Sequence, residues 1–181
     1  MRPLAFVDLE TTGATATHDR ITEIGIVEVD ADGSVREWQQ LVNPGMRIPP
    51  FIEQLTGISN DMVEDAPPFD AVAAETLKRL EGRLFIAHNA RFDYGFLKNE
   101  FKRLGITFRA SVLCTVKLSR TLFPEHKRHN LDSLIERHDL QAEAAGGPHT
   151  PVVRRIFRPR ILVYFALWSG IGLALVTALF L

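Results

Sequence analysis

Residues 6–13 read Phe-Val-Asp-Leu-Glu-Thr-Thr-Gly, and the placement of this octet decides the fold. The apolar run Leu4-Ala5-Phe6-Val7 leads into it with the character of a strand. Strand side chains alternate with period two, so Asp8 and Glu10 point to the same face at the strand's end. Two carboxylates held on one face repel each other unless a cation sits between them. Hard oxygen donors of this kind suit a divalent ion such as Mg²⁺ or Mn²⁺. The other reading is a polar strand end carrying two solvated acids.

Working outward, Arg20 to Asp30 alternates Ile and Val with polar residues and predicts a second strand. Asp32-Gly33 is a hairpin signal, and Val35 to Val42 reads as a third strand. Asn43-Pro44-Gly45 and Pro49-Pro50 punctuate a loop, followed by a short helix over Phe51 to Leu55 ending at Gly57. Helical spacing predicts a helix over Phe69 to Leu80, then a short strand over Arg83 to Ala87. A further helix is predicted from Ala90 to Leu104, stopped by Gly105. Val112 to Leu122 and Leu131 to His138 read as two more helices. A three-strand meander followed by alternating helix and strand gives an α/β fold with a mixed sheet.

Composition is that of a globular protein: 46% hydrophobic and 24% charged over 181 residues, enough for one sizeable core. The lone Cys114 excludes an internal disulfide and fits a reducing compartment. Asp8 and Glu10 interrupt any apolar run at the N-terminus, so no secretory leader is expected. The net charge of -1 conceals an asymmetry. Residues 145–181 carry four arginines and no acid, which leaves the first 144 residues at -5. Within that acidic part, residues 91–128 hold nine Lys or Arg against three acids. Such a local excess suits a phosphodiester backbone, although solvated helix surfaces are also often basic.

The character changes at Ala144-Ala145-Gly146-Gly147-Pro148. Arg154, Arg155, Arg158 and Arg160 lead into Ile161–Leu181, which holds no charge. Twenty-one helical residues span about 31 Å, close to the ~30 Å hydrocarbon core of a bilayer. A buried helix of a globular domain would keep a polar face and this segment has none, which favours a transmembrane helix. The preceding arginines predict a cytoplasmic N-terminal domain, tail-anchored in the inner or cell membrane. The chain therefore divides into a domain at 1–144, a basic linker at 145–160 and a membrane helix at 161–181.

A second motif stands at His88-Asn89-Ala90-Arg91-Phe92-Asp93-Tyr94-Gly95-Phe96-Leu97. Asp93 falls on the first turn of a helix after a buried strand, where a carboxylate can join Asp8 and Glu10. Over residues 3–144 the chain resembles the DnaQ-like, or DEDDh, 3′→5′ exonucleases, which include the proofreading subunit of bacterial replicative polymerases. The first motif matches the family's Asp-x-Glu-Thr-Thr/Ser-Gly and the second its His-Asn-x-x-Phe-Asp. Leu55-Thr56-Gly57-Ile58, Ala66-Pro67-Pro68-Phe69 and His129-Asn130-Leu131-Asp132-Ser133-Leu134 follow the family's order.

The resemblance implies a ribonuclease H-like sheet flanked by helices. It also implies hydrolysis at DNA 3′ ends, in proofreading or repair, by two divalent ions about 3.5–4 Å apart that clamp the scissile phosphate. Carried over, Asp8, Glu10 and Asp93 are metal ligands. Thr11, Thr12 and the backbone at Leu9 border the terminal nucleotide, and His88, Asn89 and Phe92 line the same cleft. Each residue also has a plainer reading: core packing for Phe92, a satisfied core histidine for His88, strand termination for the threonines, and a helix-start acid for Asp93. Implied partners are a single-stranded DNA 3′ end and a polymerase or repair complex.

The family's third motif is a His followed five residues later by an Asp, the general base and the last metal ligand. Here His149 stands near the expected place, but the fifth residue on is Arg154. A cation there would repel metal ions, so impaired activity is expected. His126, His129 and His138 read as surface residues outside the chemistry. A tail-anchored variant with degraded chemistry and a truncated exonuclease fused to a foreign membrane segment both fit, and the abrupt composition change favours the second. Alternative functions are an inactive nucleic-acid-binding or adaptor domain tethered to the membrane, and an RNA-directed exonuclease of the same fold.

Overall fold

The computed structural model describes residues 2–138. The membrane helix expected at 161–181, the linker at 145–160 and His149 lie outside these residues. Among the described residues, no helix is long and apolar enough to cross a membrane.

Five strands form one mixed sheet in the order β3-β2-β1-β4-β5. β1 (Leu4–Thr11), β2 (Ile21–Val29) and β3 (Val35–Leu41) make an antiparallel meander, with β1 at the centre of the sheet. The turn between β2 and β3 is closed by Asp30 N–H to Ser34 O at 2.9 Å, with Gly33 at φ 87°. On the other side of β1, β4 (Leu84–Ala87) and β5 (Ser111–Cys114) run parallel to it and to each other. Parallel neighbours need crossovers, and helices supply them.

Between β3 and β4 lie α1 (Pro50–Thr56), α2 (Asn60–Glu64) and α3 (Phe69–Leu80). Pro50 suits the first turn of α1, and Gly57 at φ 74° ends it with a backbone N–H to Glu53 O. α4 (Arg91–Arg103) joins β4 to β5. α5 (Thr115–Leu122) and α6 (Leu131–Arg137) follow, and Asn130 caps α6 by accepting the Ser133 N–H.

The expectation of one helix over 112–122 is corrected here. Residues 111–114 are strand β5, and only 115–122 are helical. The exposed edge of β4 offers backbone partners that Val112-Leu113-Cys114 satisfy in parallel register. The short helix α2 stands in a stretch for which the sequence predicted no element, and Ser59 starts it by accepting the Met62 N–H at 3.4 Å.

The two faces of the sheet differ. Odd-numbered β1 residues Ala5, Val7 and Leu9 enter the main core with Ile24, Ile26, Phe69, Phe96, Leu97 and Phe101 from β2, α3 and α4. Even-numbered Leu4 and Phe6 join Val27, Val29, Leu84 and Ile86 in a smaller cluster, against which Leu113 and Leu131 pack. Asp8 and Glu10 continue this second face.

Candidate active site

The strand order places the site at the C-terminal ends of β1 and β4. Along β1, Leu4 and Phe6 meet Val29 and Val27 across the ladder, whereas Asp8 meets Gly25 and Glu10 meets Glu23. Gly25 brings no side chain to the position beside Asp8. The register shifts between Glu10 and Thr11, which pairs with Ile21, so the sheet bends where the acids end.

The segment after Glu10 shows why threonine and glycine are used there. Thr11 Oγ1 donates to Gly13 O at 2.6 Å and folds the chain into a turn. Thr12 accepts the Arg20 N–H through Oγ1 at 3.0 Å and faces Asp19 Oδ1 at 3.4 Å. The Asp19 carboxylate also accepts the Thr15 N–H at 2.7 Å and lies so close to Gly13 that a Cβ there would meet it at 2.5 Å. Gly13 is therefore fixed by the close approach of Asp19.

Across the cleft, β4 runs into His88 and Asn89 before α4 begins. Asn89 has φ 62°, the left-handed region that non-glycine residues seldom adopt and that Asn tolerates best. Its carbonyl accepts the Phe92 N–H at 2.8 Å and starts the helix. This turn delivers Asp93 to the cleft, 3% exposed, where Oδ1 accepts the Leu9 N–H at 3.2 Å. His88 Nδ1 lies 3.0 Å from Thr115 Oγ1, which ties the cleft wall to the first residue of α5. Phe92 packs on Phe96 at 4.7 Å and also reaches the cleft, so core packing and site lining coincide in one ring.

One open cleft of about 560 Å³ gathers these groups. Asp8, Leu9, Glu10, Thr11, His88, Asn89, Phe92 and Asp93 all line it. Thr12 does not; its hydroxyl is committed to the Arg20 and Asp19 turn. Reasoning from sequence did not assign Phe51 and Leu55 to the site. They stand one turn apart on α1, are 67% and 77% exposed, and form an apolar lip of the cleft. The Leu-Thr-Gly-Ile landmark contained Leu55 but gave no sign that its side chain faces outward.

A fourth acid was also missed. Glu23 on β2 is fully buried opposite Glu10; its Oε1 accepts from Gln39 Nε2 at 2.8 Å and its Oε2 meets no hydrogen-bond donor. Burial pushes its pKa up to about 8, against the lowering hydrogen bond from Gln39, and the charges of Glu10 and Asp8 add to the rise. Asp93 is likewise held well above the ordinary carboxylate range, by burial first and then by the charge of Asp8. The alternation in β2 marked Glu23 as polar, yet its burial depends on a cross-strand neighbour that the local pattern does not name.

The electrostatics of the cleft are those of a cation site: beyond burial, the charges of Asp8 and Glu10 raise the proton affinity of Glu23 and Asp93, and the acids are hard oxygen donors. Among the described residues, however, no three His, Cys, Asp or Glu side chains are drawn together into a ready-made metal cage. The donor chemistry of Asp8, Glu10 and Asp93 fits a divalent metal.

His126, His129 and His138 are absent from the cleft lining. Both ring nitrogens of His129 are engaged, with Ser119 Oγ at 2.8 Å and His126 O at 2.9 Å. His138 packs on Phe123 at 5.1 Å, and burial followed by the charge of Arg137 lowers its pKa.

A family model described as exonuclease matches residues 5–150. The chain belongs to the DnaQ-like exonuclease family. The match ends one residue after His149, so Arg154 lies beyond it. Among curated relatives, the 3′-5′ exonuclease DinG of Bacillus subtilis (strain 168) is 43% identical over 139 residues, which are 74% of this chain and 15% of the relative. The PolC-type DNA polymerase III of Caldanaerobacter subterraneus subsp. tengcongensis is 42% identical over 129 residues, 71% of this chain and 9% of the relative. This exonuclease-family chain thus spans only a small part of the length of the curated relatives it matches. Exonuclease X in complex with 5′ overhanging duplex DNA superposes with a TM-score of 0.67 at 26% identity, covering 92% of this chain and 93% of that one. E. coli exonuclease I in complex with a dT13 oligonucleotide shares the fold, with a TM-score of 0.75 at 17% identity over 99% of this chain and 44% of that one.

Proposed function

We propose that this domain is built for metal-dependent 3′→5′ removal of nucleotides from DNA ends, in proofreading or repair. The observation that carries the reading is the convergence of Asp8, Glu10 and a buried Asp93 in one cleft with an apolar lip. Asp8, Glu10 and Asp93 would hold two divalent ions, Mg²⁺ or Mn²⁺. Bound ions supply Lewis-acid stabilisation of the charge on the scissile phosphate. The chain's own groups position the strand: Phe51 and Leu55 offer apolar surface to the terminal base, and Thr11 and the Leu9 backbone border the sugar. His88 and Asn89 give polar contacts from the opposite wall, and Phe92 closes the floor. The names of the DinG and PolC-type relatives, and the DNA bound by exonuclease X, support DNA as substrate and a polymerase or repair complex as partner.

Residues 1–144 form the exonuclease domain in this reading, 145–160 a basic linker and 161–181 a membrane anchor. With Arg154 five residues after His149, the general base and the last ligand of the family's site are not both supplied. Turnover should therefore fall by at least the ~10²–10⁴ that general-base catalysis contributes. The same substitution favours a second reading, an inactive nucleic-acid-binding domain tethered to a membrane.

Incubating the full chain with a 5′-labelled single strand and Mn²⁺ separates the two. A descending ladder that disappears in Asp8→Ala is expected for the enzyme; products equal to those of Asp8→Ala would support the inactive domain. DNA and RNA oligomers of one sequence, run side by side, report the substrate class. Carbonate extraction of membranes tests the anchor, with retention in the pellet expected and full release refuting it.

A further inference from the structure

Of the seventeen Lys and Arg among the described residues, five meet a carboxylate within ion-pair distance and twelve do not, and four of the twelve are gathered in residues 115–130. Arg20, Arg36, Arg79, Arg83 and Arg103 each meet a carboxylate within ion-pair distance. Lys117, Arg120, Lys127 and Arg128 are all exposed, and among the described residues none of them meets one. Lys117 and Arg120 stand three residues apart on α5 and share a helix face. Lys127 and Arg128 lie in the segment that leads into α6. The single acid among residues 115–130, Glu125, pairs with His126 at 3.4 Å.

The place of this group in the fold gives it meaning. α5 begins at Thr115, whose hydroxyl meets His88 on the cleft wall. α6 begins at Leu131, which itself lines the cleft three residues after Arg128. These four cations therefore lie on the two segments that start at the cleft, and Ser119 Oγ at 2.8 Å from His129 Nδ1 holds those segments together. Four like charges kept on these segments are unfavourable for the isolated chain, and a polyanion relieves them.

We propose that α5 and residues 123–130 form a phosphate track, which holds the single strand 5′ to the terminal nucleotide seated in the cleft. The proposal rests on the exonuclease reading of the cleft and names how the rest of the strand is bound. A protein partner fits less well. Interfaces are anchored by buried aromatic and apolar side chains, and none of the strongly exposed large hydrophobic residues falls within 115–130. Backbone phosphates need only cations, and they carry no sequence demand.

The test uses the full chain in a non-ionic detergent with EDTA, so that binding is read without turnover. Anisotropy of 5′-fluorescein oligothymidylates of three and twenty nucleotides is compared for the natural chain and K117A/R120A/K127A/R128A. The longer strand should bind the natural chain at least tenfold more tightly than the shorter. The variant should lose that advantage while binding the trinucleotide unchanged. The slope of log affinity against log salt should flatten by about 0.7 for each cation that meets a phosphate.

K127Q/R128Q, which leaves α5 intact, should give an intermediate loss. An unchanged slope and length dependence would overturn the track even if the chain cleaves DNA. A length effect lost in the variant sustains the track even if the chain cleaves nothing. Equal loss for both lengths would place the cations in the cleft itself and reject the proposal. Dependence of binding to phosphatidylserine vesicles, but not to the twenty-mer, on these residues would assign the surface to a membrane instead.

Discussion

Strand β2 carries two buried glutamates in opposite circumstances. Glu28 sits near one end, 4% exposed, and Arg36, Arg79 and Arg83 all reach it. Asp30 and Glu75 complete that network, and Arg79 also lies over the Trp38 ring at 4.9 Å. Glu23 sits near the other end, fully buried, with Glu10 as its cross-strand partner; burial raises its pKa, and Glu10 and Asp8 add to the rise. One end has its charge neutralised by the fold. The other gathers acids, and the folded chain keeps Glu23 protonated up to about pH 8, which costs stability above its ordinary value. The difference separates a structural ion cluster from a site that answers to something outside the chain.

Breaking the neutralised end gives the largest expected effect. Glu28→Ala removes the buried carboxylate shared by three guanidiniums, which keep only the more exposed Asp30 and Glu75, and should lower stability by about 3 kcal/mol, read as a lower urea midpoint with an unchanged slope. Filling the acidic end acts in the opposite direction. Mn²⁺ at a hundredfold excess over its dissociation constant should stabilise the chain by about 2.7 kcal/mol. Asp8→Asn and Asp93→Asn should each abolish most of that gain in a thermal scan against EDTA. The same addition should leave Glu28→Ala with its full increment, because the two ends share no partner.

The acidic end also has a pH signature. Below about pH 4.5, its ordinary value, Glu23 keeps its proton whether the chain is folded or not. Between there and about pH 8 only the unfolded chain releases it, so stability falls as pH rises and levels off above that value. Each pH unit inside the window removes about 1.4 kcal/mol for one such group. Asp93 adds its own share in the same direction. In EDTA, Glu23→Gln should be flatter than the natural chain by that one-proton slope between pH 5.5 and 7.5, as measured by denaturation midpoints.

How far the sequence announced this contrast depends on how local each signal is. The octet fixed the common face of Asp8 and Glu10 because strand parity is local, and it led to the central strand of the sheet. The helix at Phe69–Leu80 was legible from spacing alone. The pairing of Glu10 with Glu23 was not, because register is set between segments a dozen residues apart. Strand β5 was misread as helix because its four residues become a strand only against the edge of β4. Thr12 was expected at the nucleotide from the motif it belongs to, and the motif did not announce that its hydroxyl also joins Arg20 and Asp19 in a turn. Phe51 and Leu55 were hidden for the converse reason: an apolar residue on a short helix reads as core until the structure leaves it exposed.

The smallest effect concerns backbone shape, and it too separates the two ends. Among the described residues, Asn89 is the one non-glycine with positive φ, and it stands at the acidic end between β4 and α4. A left-handed conformation costs an ordinary L-residue about 1–2 kcal/mol, and Asn less. Asn89→Ala should therefore be roughly 1 kcal/mol less stable than Asn89→Gly, since glycine adopts φ 62° freely. Comparing the two variants divides the residue's roles. If its side chain contacts the strand, both variants lose trinucleotide affinity alike, despite their different stabilities. If Asn89 serves only to swing Asp93 toward the Leu9 N–H, Asn89→Gly keeps that affinity and Asn89→Ala alone weakens it. The first outcome is expected, because a turn that needed only its backbone angle would be met at least as well by glycine.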